Sequence, residues 1–201
     1  LPGASNEVVF TTTGTYPVDG AIFSSPTGNP SYGDFIWNNN LAGIYGNPQT
    51  GSTNRVLTLN NTTSGSSEAV AAGGAVGDLI LMGTNAASNK LTIGPNTSTG
   101  TGVINITLGV GGNFDVVNAG ATLELTGVLA GTFDLNKTGA GKLIFSGTAN
   151  NTWGSTGKTF NITSGTVELA KSGATATAIS ATVVNVGDGS TLNGTVLLKL
   201  T

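Results

Sequence analysis

The sequence predicts an all-β fold made of short, stacked strand repeats. Two strands show the unit most clearly: Lys142–Phe145 and Thr166–Leu169 each follow a glycine and place large apolar residues at every second position. Side chains alternate between the two faces of a strand, so each unit has one apolar face. Similar units recur at residues 120–125, 131–135 and 194–198, whereas no amphipathic helix of ten or more residues is visible. Units of this kind bury their apolar faces only against their neighbours, which favours a β-solenoid.

The composition excludes several classes of function. Charged residues make up 8% of the 201 residues, the net charge is −3, and the seven Lys and Arg residues are scattered. Nucleic acids and anionic membrane surfaces require clustered cations, so neither is an expected partner. The chain has no Cys and no His, which excludes disulfides and thiolate metal sites. No apolar run approaches the length of a membrane-spanning helix, so we expect no membrane insertion by this chain.

The alternation of apolar residues predicts which side chains form the core. We expect them to point inward and to stack in ladders along the solenoid. The residues are Leu123, Leu125, Phe133, Leu135, Leu143, Phe145, Val167 and Leu169. Trp153 follows three polar residues and precedes Gly154, which is typical of a surface loop. We therefore expect its ring to pack on the outside of the coil, near Phe160.

Residues 133–192 resemble the passenger-associated repeat of bacterial autotransporters. The matching positions are Leu135, Lys137, Gly139, Gly141, Leu143, Ser146, Gly147, Asn150, Gly165 and Leu169. Trp153 stands where that family usually has Tyr, and Phe145 replaces an aliphatic residue. The resemblance implies a right-handed parallel β-helix that is secreted and displayed at a bacterial cell surface.

The first 54 residues differ in composition from residues 55–201. Five of the six prolines and seven of the twelve aromatic residues lie in this part. Because proline is excluded from central strands, we predict an N-terminal strand at residues 7–16 and a loop-rich aromatic cap up to residue 54, followed by the solenoid at 55–201. Tyr32, Trp37 and Tyr45 either cover the end of the solenoid core or form a platform on which sugars stack.

The motifs that suggest chemistry are incomplete. Gly157-Lys158-Thr159 lacks the first glycine of a phosphate-binding loop, and a strand rather than a helix follows. Residues 111–115 resemble one calcium nonapeptide, but a single copy supplies too few oxygen ligands. Asp115, Glu124, Asp134 and Glu168 could align on one outer face, where we interpret them as solubilising strand residues. We therefore predict no enzyme activity, no catalytic residue, no cofactor and no metal.

The sequence favours a structural surface protein that associates with copies of itself, such as a β-solenoid fibre, a filament subunit or an adhesin shaft. Two strand-forming segments near the termini are the predicted contacts between copies. They contain Val8, Val9 and Phe10 at one end and Val196, Leu197, Leu198 and Leu200 at the other. The alternatives are a passenger fragment whose next coil follows Thr201, a carbohydrate-binding role with surface glycans as partners, and a polysaccharide-cleaving β-helix.

Overall fold

A computed structural model describes the backbone of most of the chain. The described residues are 8–11, 22–24, 29, 31–38, 42–47, 54–60, 73–75, 77–95, 103–154, 157–173, 175–187 and 196–201. They contain eighteen β-strands and no helix, which confirms the predicted all-β class. The strands are β1 (Val8–Thr11), β2 (Ile22–Ser24), β3 (Ser31–Tyr32), β4 (Phe35–Asn38), β5 (Gly43–Asn47), β6 (Arg55–Leu59), β7 (Asp78–Met82), β8 (Lys90–Pro95), β9 (Ile104–Leu108), β10 (Gly112–Val116), β11 (Thr122–Leu125), β12 (Leu129–Ala130), β13 (Leu135–Thr138), β14 (Lys142–Gly147), β15 (Thr159–Ile162), β16 (Gly165–Lys171), β17 (Val183–Val186) and β18 (Val196–Leu200).

The strands form three parallel sheets, which the chain visits in the rotation A, B, C from β1 to β12; the described strands from β13 to β18 alternate between A and B. Sheet A has the order β1-β4-β7-β10-β13-β15-β17, sheet B the order β2-β5-β8-β11-β14-β16-β18, and sheet C the order β3-β6-β9-β12. All described strand pairings are parallel. We call one passage through sheets A and B, together with sheet C where it has a strand, a coil. The arrangement is compatible with a β-solenoid, in which each coil lies on the one before it.

The same three sheets extend into the first 54 residues. Strands β4 and β5 pair with β7 and β8, which lie beyond the predicted boundary at residue 54. Strand β1 falls within the predicted strand at residues 7–16 and is the first strand of sheet A. The described part of this region therefore contributes strands to the coils, and the predicted loops around its prolines lie largely outside the described residues.

The core lies between the three sheets. In sheet B, Leu123, Leu143 and Val167 stand directly opposite one another on successive strands, as do Leu125, Phe145 and Leu169. Six of the eight predicted core residues are buried, while Phe133 and Leu169 are partly buried and pack against the core. The alternation of apolar residues was sufficient to predict this face.

The predicted position of Trp153 on the outside of the coil is wrong. Its side chain is fully buried, and its ring meets that of Phe160 edge-on with centroids 5.2 Å apart. The backbone N–H groups of Thr152 and Trp153 donate to the carbonyl oxygen of Leu129, at 2.9 and 3.1 Å. The segment thus bonds to β12, the last described strand of sheet C, and its indole is buried in the core. The expected proximity to Phe160 is confirmed.

We predict that Phe145→Ala lowers the free energy of unfolding by about 3–5 kcal/mol, because it removes a fully buried ring from the stacked core. Ile144→Ala is the matched control, since Ile144 is the preceding residue and faces outward between Glu124 and Glu168. Its loss should stay below about 1 kcal/mol. Urea unfolding of both variants checks this, and equal losses would contradict the assigned faces.

Candidate functional site

The three aromatic residues of the predicted sugar platform are in the core. Tyr32, Trp37 and Tyr45 are at most 3% exposed. The hydroxyls of Tyr32 and Tyr45 are hydrogen-bonded at 3.2 Å, and the rings of Phe35 and Tyr45 meet edge-on at 5.0 Å. Burial, together with the neighbouring Tyr32 hydroxyl, raises the pKa of Tyr45. A sugar stacks on an exposed ring face, so the platform is wrong and these residues fill the interior of the first coils.

The four acidic residues do not share a face. Asp115 lies on sheet A, Glu124 and Glu168 lie on the outer face of sheet B, and Asp134 precedes β13. The chain turns from one sheet to the next at irregular intervals. Acidic residues that occupy similar positions in their strands therefore lie in different sheets. The Asp134 carboxylate accepts the backbone N–H of Thr159 at 2.8 Å, which joins two successive coils.

Glu124 and Glu168 are held by cations and hydroxyls on neighbouring strands. Glu124 lies 2.5 Å from Lys90 Nζ and accepts the Ser146 hydroxyl at 2.7 Å. Burial alone would raise the pKa of Glu124, but the hydrogen bonds from Lys90 and Ser146 outweigh it and lower the pKa. Glu168 lies 3.3 Å from Lys142 and 3.7 Å from Lys199. Both carboxylates therefore link strands of sheet B.

The most unusual ionisable side chain is that of Lys137, which points into the core and is fully buried. Its ammonium group donates to the carbonyl oxygens of Thr138, Gly139 at 2.8 Å and Ser164 at 3.3 Å. These carbonyls belong to the turns from sheet A to sheet B in two successive coils. Burial lowers the pKa of Lys137 to about 8, with the Asp115 carboxylate acting in the opposite direction. Lys137 thus places its charge among backbone acceptors and donates to carbonyls of two coils at once.

Lys171 has a comparable role at the turn from sheet B to sheet C. Its ammonium group donates to the carbonyl oxygens of Gly127 at 3.1 Å and Ser146 at 3.0 Å, which belong to two successive coils. Burial lowers its pKa as well. We call Lys137 and Lys171 the corner lysines. Each fixes one coil to the next through backbone carbonyls.

Glycine allows the coils to approach closely at the Lys137 corner. Gly139 and Gly165 have φ angles of +71° and +72°, which side chains rarely tolerate. A Cβ atom on Gly165 would lie 2.3 Å from the carbonyl oxygen of Gly141, and one on Gly139 would lie 2.3 Å from Asp115 Oδ1. These glycines are therefore required by stacking rather than by phosphate or metal binding.

Asp115 lies on the outer face of sheet A and is only 7% exposed. Burial and the charge of Asp78 raise its pKa to about 6, against the effects of the Thr138 hydroxyl and Lys137. A carboxyl group whose pKa is higher in the folded chain holds its proton more tightly there. Its contribution to stability is therefore complete below about pH 4 and is lost as the pH rises through about 6.

A row of amide side chains runs along the outer face of sheet A. Asn185 donates to Asn161 at 2.8 Å, Asn161 to Asn136 at 2.8 Å, Asn136 to Asn113 at 2.9 Å, and Asn113 to Asp78 at 3.0 Å. We call this row the amide ladder. Asn136 and Asn161 each begin an Asn-x-Thr sequence, the pattern of a glycosylation acceptor. Their amide groups are instead hydrogen-bonded to neighbouring coils.

An open groove of about 780 Å³ lies beside the amide ladder in the last three coils. Its described lining carries amide, hydroxyl and valine side chains but no charged one. The residues are Asn136, Thr138, Asn161, Thr163, Val184, Asn185, Val186 and Gly187. Such a surface suits an uncharged polar ligand better than an ionic one.

The described residues leave apolar side chains uncovered where sheets A and B end. Strand β17 pairs only with β15, and β18 only with β16. The exposed residues are Val183 (46%), Val184 (38%), Val186 (50%), Leu197 (46%) and Leu200 (79%). Of the predicted association residues, Leu197 and Leu200 are thus exposed, while Val196 and Leu198 pack partly against the core. Val8, Val9 and Phe10 lie in β1, at the opposite edge of sheet A.

The sequence reading missed the corner lysines, the amide ladder and the exposed valines of β17. Successive ladder residues from Asn113 to Asn185 are 23, 25 and 24 residues apart, and this spacing was a usable signal. The corner lysines had no comparable signal, because their partners are backbone carbonyls. In the sequence, Lys137 stands out only as a position of the autotransporter-like repeat.

No protein-family model, curated protein or solved structure is significantly similar to this chain. The resemblance to autotransporter repeats therefore stays a prediction from the residues of 133–192. Within the described residues, no cluster of three or more acidic, His or Cys side chains could hold a metal ion. The described part of the chain also contains no helix long and apolar enough to span a membrane.

We predict that Lys137→Met lowers the free energy of unfolding by about 1–3 kcal/mol, because it removes the donor to three carbonyls at the corner. Lys142→Met is the matched control, since Lys142 is 40% exposed and forms a surface ion pair worth at most about 1 kcal/mol. Urea unfolding at pH 7 separates the two variants. A loss as small for Lys137→Met as for the control would overturn the role assigned to Lys137.

Proposed function

We propose that this chain is a non-catalytic structural protein of a bacterial surface, secreted and folded as a right-handed parallel β-solenoid, and that it serves as a filament subunit or an adhesin shaft. Parallel strands joined by crossovers are right-handed in almost all proteins, which supports the handedness. The extracellular setting is supported by the resemblance of residues 133–192 to surface-displayed passengers. The low charge and the absence of Cys are consistent with it.

One observation carries the proposal: among the described residues, sheets A and B end in strands that have one unpaired backbone edge and exposed apolar side chains. Strands β17 and β18 leave five large apolar residues between 38% and 79% exposed. Unpaired parallel edges with apolar residues readily pair with another chain. The first strands, β1, β2 and β3, form the opposite edges of the same three sheets. Contact between opposite ends does not close on itself and therefore produces filaments.

Polar and charged side chains that bond to neighbouring coils support a structural role. The corner lysines, the amide ladder and the ion pairs of Glu124 and Glu168 all join neighbouring coils. Their hydrogen-bonding capacity is thus used within the solenoid. This arrangement gives no support to polysaccharide cleavage by Glu124 and Glu168.

A carbohydrate-binding role is the second candidate, located at the groove beside the amide ladder. Its amide and hydroxyl lining suits neutral surface glycans. A glycan array separates this candidate from the first, because a purely structural protein binds none of the glycans. Binding that is lost in Asn185→Lys would place the ligand at the groove.

We predict that the purified chain forms polymers and that Val184→Lys/Val186→Lys keeps it monomeric. Val184 and Val186 stand opposite Phe160 and Ile162 on the inward side of β17. Two lysines there would place two like charges against another coil, and burying a charge is costly unless its donors find acceptors as those of Lys137 do. Both valines are already partly exposed, so the monomer should remain folded. Thr107→Lys, at an outward position of sheet C away from the ends, is the control and should polymerise normally.

Static light scattering over a concentration series and negative-stain electron microscopy measure the outcome. Circular dichroism confirms that each variant keeps its β-structure. A chain that stays monomeric at every concentration would contradict the filament proposal.

A further inference from the structure

The amide ladder runs alongside the coils rather than across their ends. Asn136 and Asn161 lie on β13 and β15, each of which has a described strand on both sides. These two residues stand directly opposite each other, as Asn161 and Asn185 do. The ladder therefore crosses the strands and follows the solenoid axis, with one amide for each coil and neighbouring coils about 4.8 Å apart.

Bonding within the ladder occupies one half of each amide group. Asn136 and Asn161 each donate one N–H to the preceding amide and accept one N–H from the next, at 2.8–2.9 Å. A carboxamide has two N–H donors and two lone pairs, so each of these side chains retains one N–H and one lone pair. Both amides line the groove beside the ladder, so a ligand in the groove lies next to these remaining groups.

The direction of the ladder is fixed at the end formed by Asp78. Its carboxylate accepts the amide N–H of Asn113 at 3.0 Å, and an ionised carboxylate has no hydrogen to donate. The amide oxygen of Asn113 therefore accepts from Asn136, and the same direction continues along the row. The groove thus presents the same donor and acceptor once per coil, in one orientation. Groups that are preorganised in this way lower the entropy cost of binding.

The chemistry of the groove selects among linear ligands. Its described lining carries no charged side chain, so a nucleic acid or an acidic polysaccharide would find no counter-charge there. An extended peptide advances about 3.3 Å per residue, so its polar groups fall out of step with amides that are about 4.8 Å apart. An extended neutral polysaccharide carries hydroxyl groups that both donate and accept, and each of its rings spans about the distance between neighbouring coils.

We propose that the amide ladder binds a linear, neutral polysaccharide that lies along the solenoid axis, with successive sugars on Asn136, Asn161 and Asn185. The inference rests on the carbohydrate-binding candidate function. It adds the orientation of the glycan, a register of one sugar per coil and the amide groups that hold each sugar.

Oligosaccharides of increasing length test the orientation. The probes are β-1,4-linked oligomers of glucose and of N-acetylglucosamine, from the monosaccharide to the hexasaccharide, titrated by isothermal calorimetry. If the glycan array selects another linear neutral glycan, its oligomers replace these probes. Because each added sugar reaches one more amide, the trisaccharide should bind at least about tenfold more tightly than the monosaccharide. Longer oligomers should gain at most about twofold, since the groove contains three amides of the ladder.

Two substitutions test the ladder itself. Asn161→Asp keeps the shape of the side chain but replaces its N–H donors by a charge, and should weaken binding of the trisaccharide at least about tenfold. Asn185→Ala removes the last described amide and should end the gain with length at the disaccharide. Asn185 is exposed, so this second variant keeps the test decisive if circular dichroism shows that Asn161→Asp does not fold.

Asn105→Asp is the matched control. It makes the same chemical change on sheet C, where the side-chain oxygen of Asn105 accepts the backbone N–H of Val128 at 2.9 Å. An aspartate preserves that acceptor, so this variant should bind the oligomers as the unmodified chain does.

The outcomes separate this inference from the candidate function. Binding that does not increase with length, or that is unchanged in both Asn161→Asp and Asn185→Ala, would overturn the axial register and leave carbohydrate binding standing. Binding of none of the oligomers and of no linear neutral glycan on the array would overturn both.

Discussion

The close stacking of one coil on the next, at corners where the backbone turns from sheet to sheet, is the constraint on which the rest of this structure depends. At the corner after β13, Gly139 and Gly165 leave no room for side chains, and carbonyl groups of two coils point toward the same small volume. Buried carbonyls need donors. Lys137 supplies them, at the cost of burying an ammonium group, and Lys171 does the same at the next corner.

The same stacking explains why many of the described polar and charged side chains join coils. The amide ladder, the ion pairs of sheet B and the corner lysines each bridge strands that are distant in sequence but adjacent in a sheet. The amide ladder joins five successive strands of sheet A, from Asp78 in β7 to Asn185 in β17. The valines and leucines of β17 and β18 are uncovered where the described coils end, and they make end-on association the natural proposal.

The parts of this fold that depend on local alternation could be predicted from the sequence. Leu143 and Phe145 alternate with polar or outward residues, and their burial follows from that pattern alone. Trp153 could not be placed in this way, because its orientation depends on hydrogen bonds to Leu129 in the preceding coil. Tyr32, Trp37 and Tyr45 were open to two interpretations, since composition does not show which face of a strand is inside. Lys137 bonds only to backbone carbonyls, which no sequence pattern marks.

Residue-resolved amide hydrogen exchange of the monomeric Val184→Lys/Val186→Lys variant tests the stacked-coil arrangement most directly. Protection should follow position in the sheets rather than position in the chain. Amides of β11, β14 and β16, which have a neighbouring strand on both sides, should exchange most slowly, and those of the terminal strands β17 and β18 should exchange much faster. Equal protection of β14 and β17, or fast exchange throughout β14 and β16, would contradict the account.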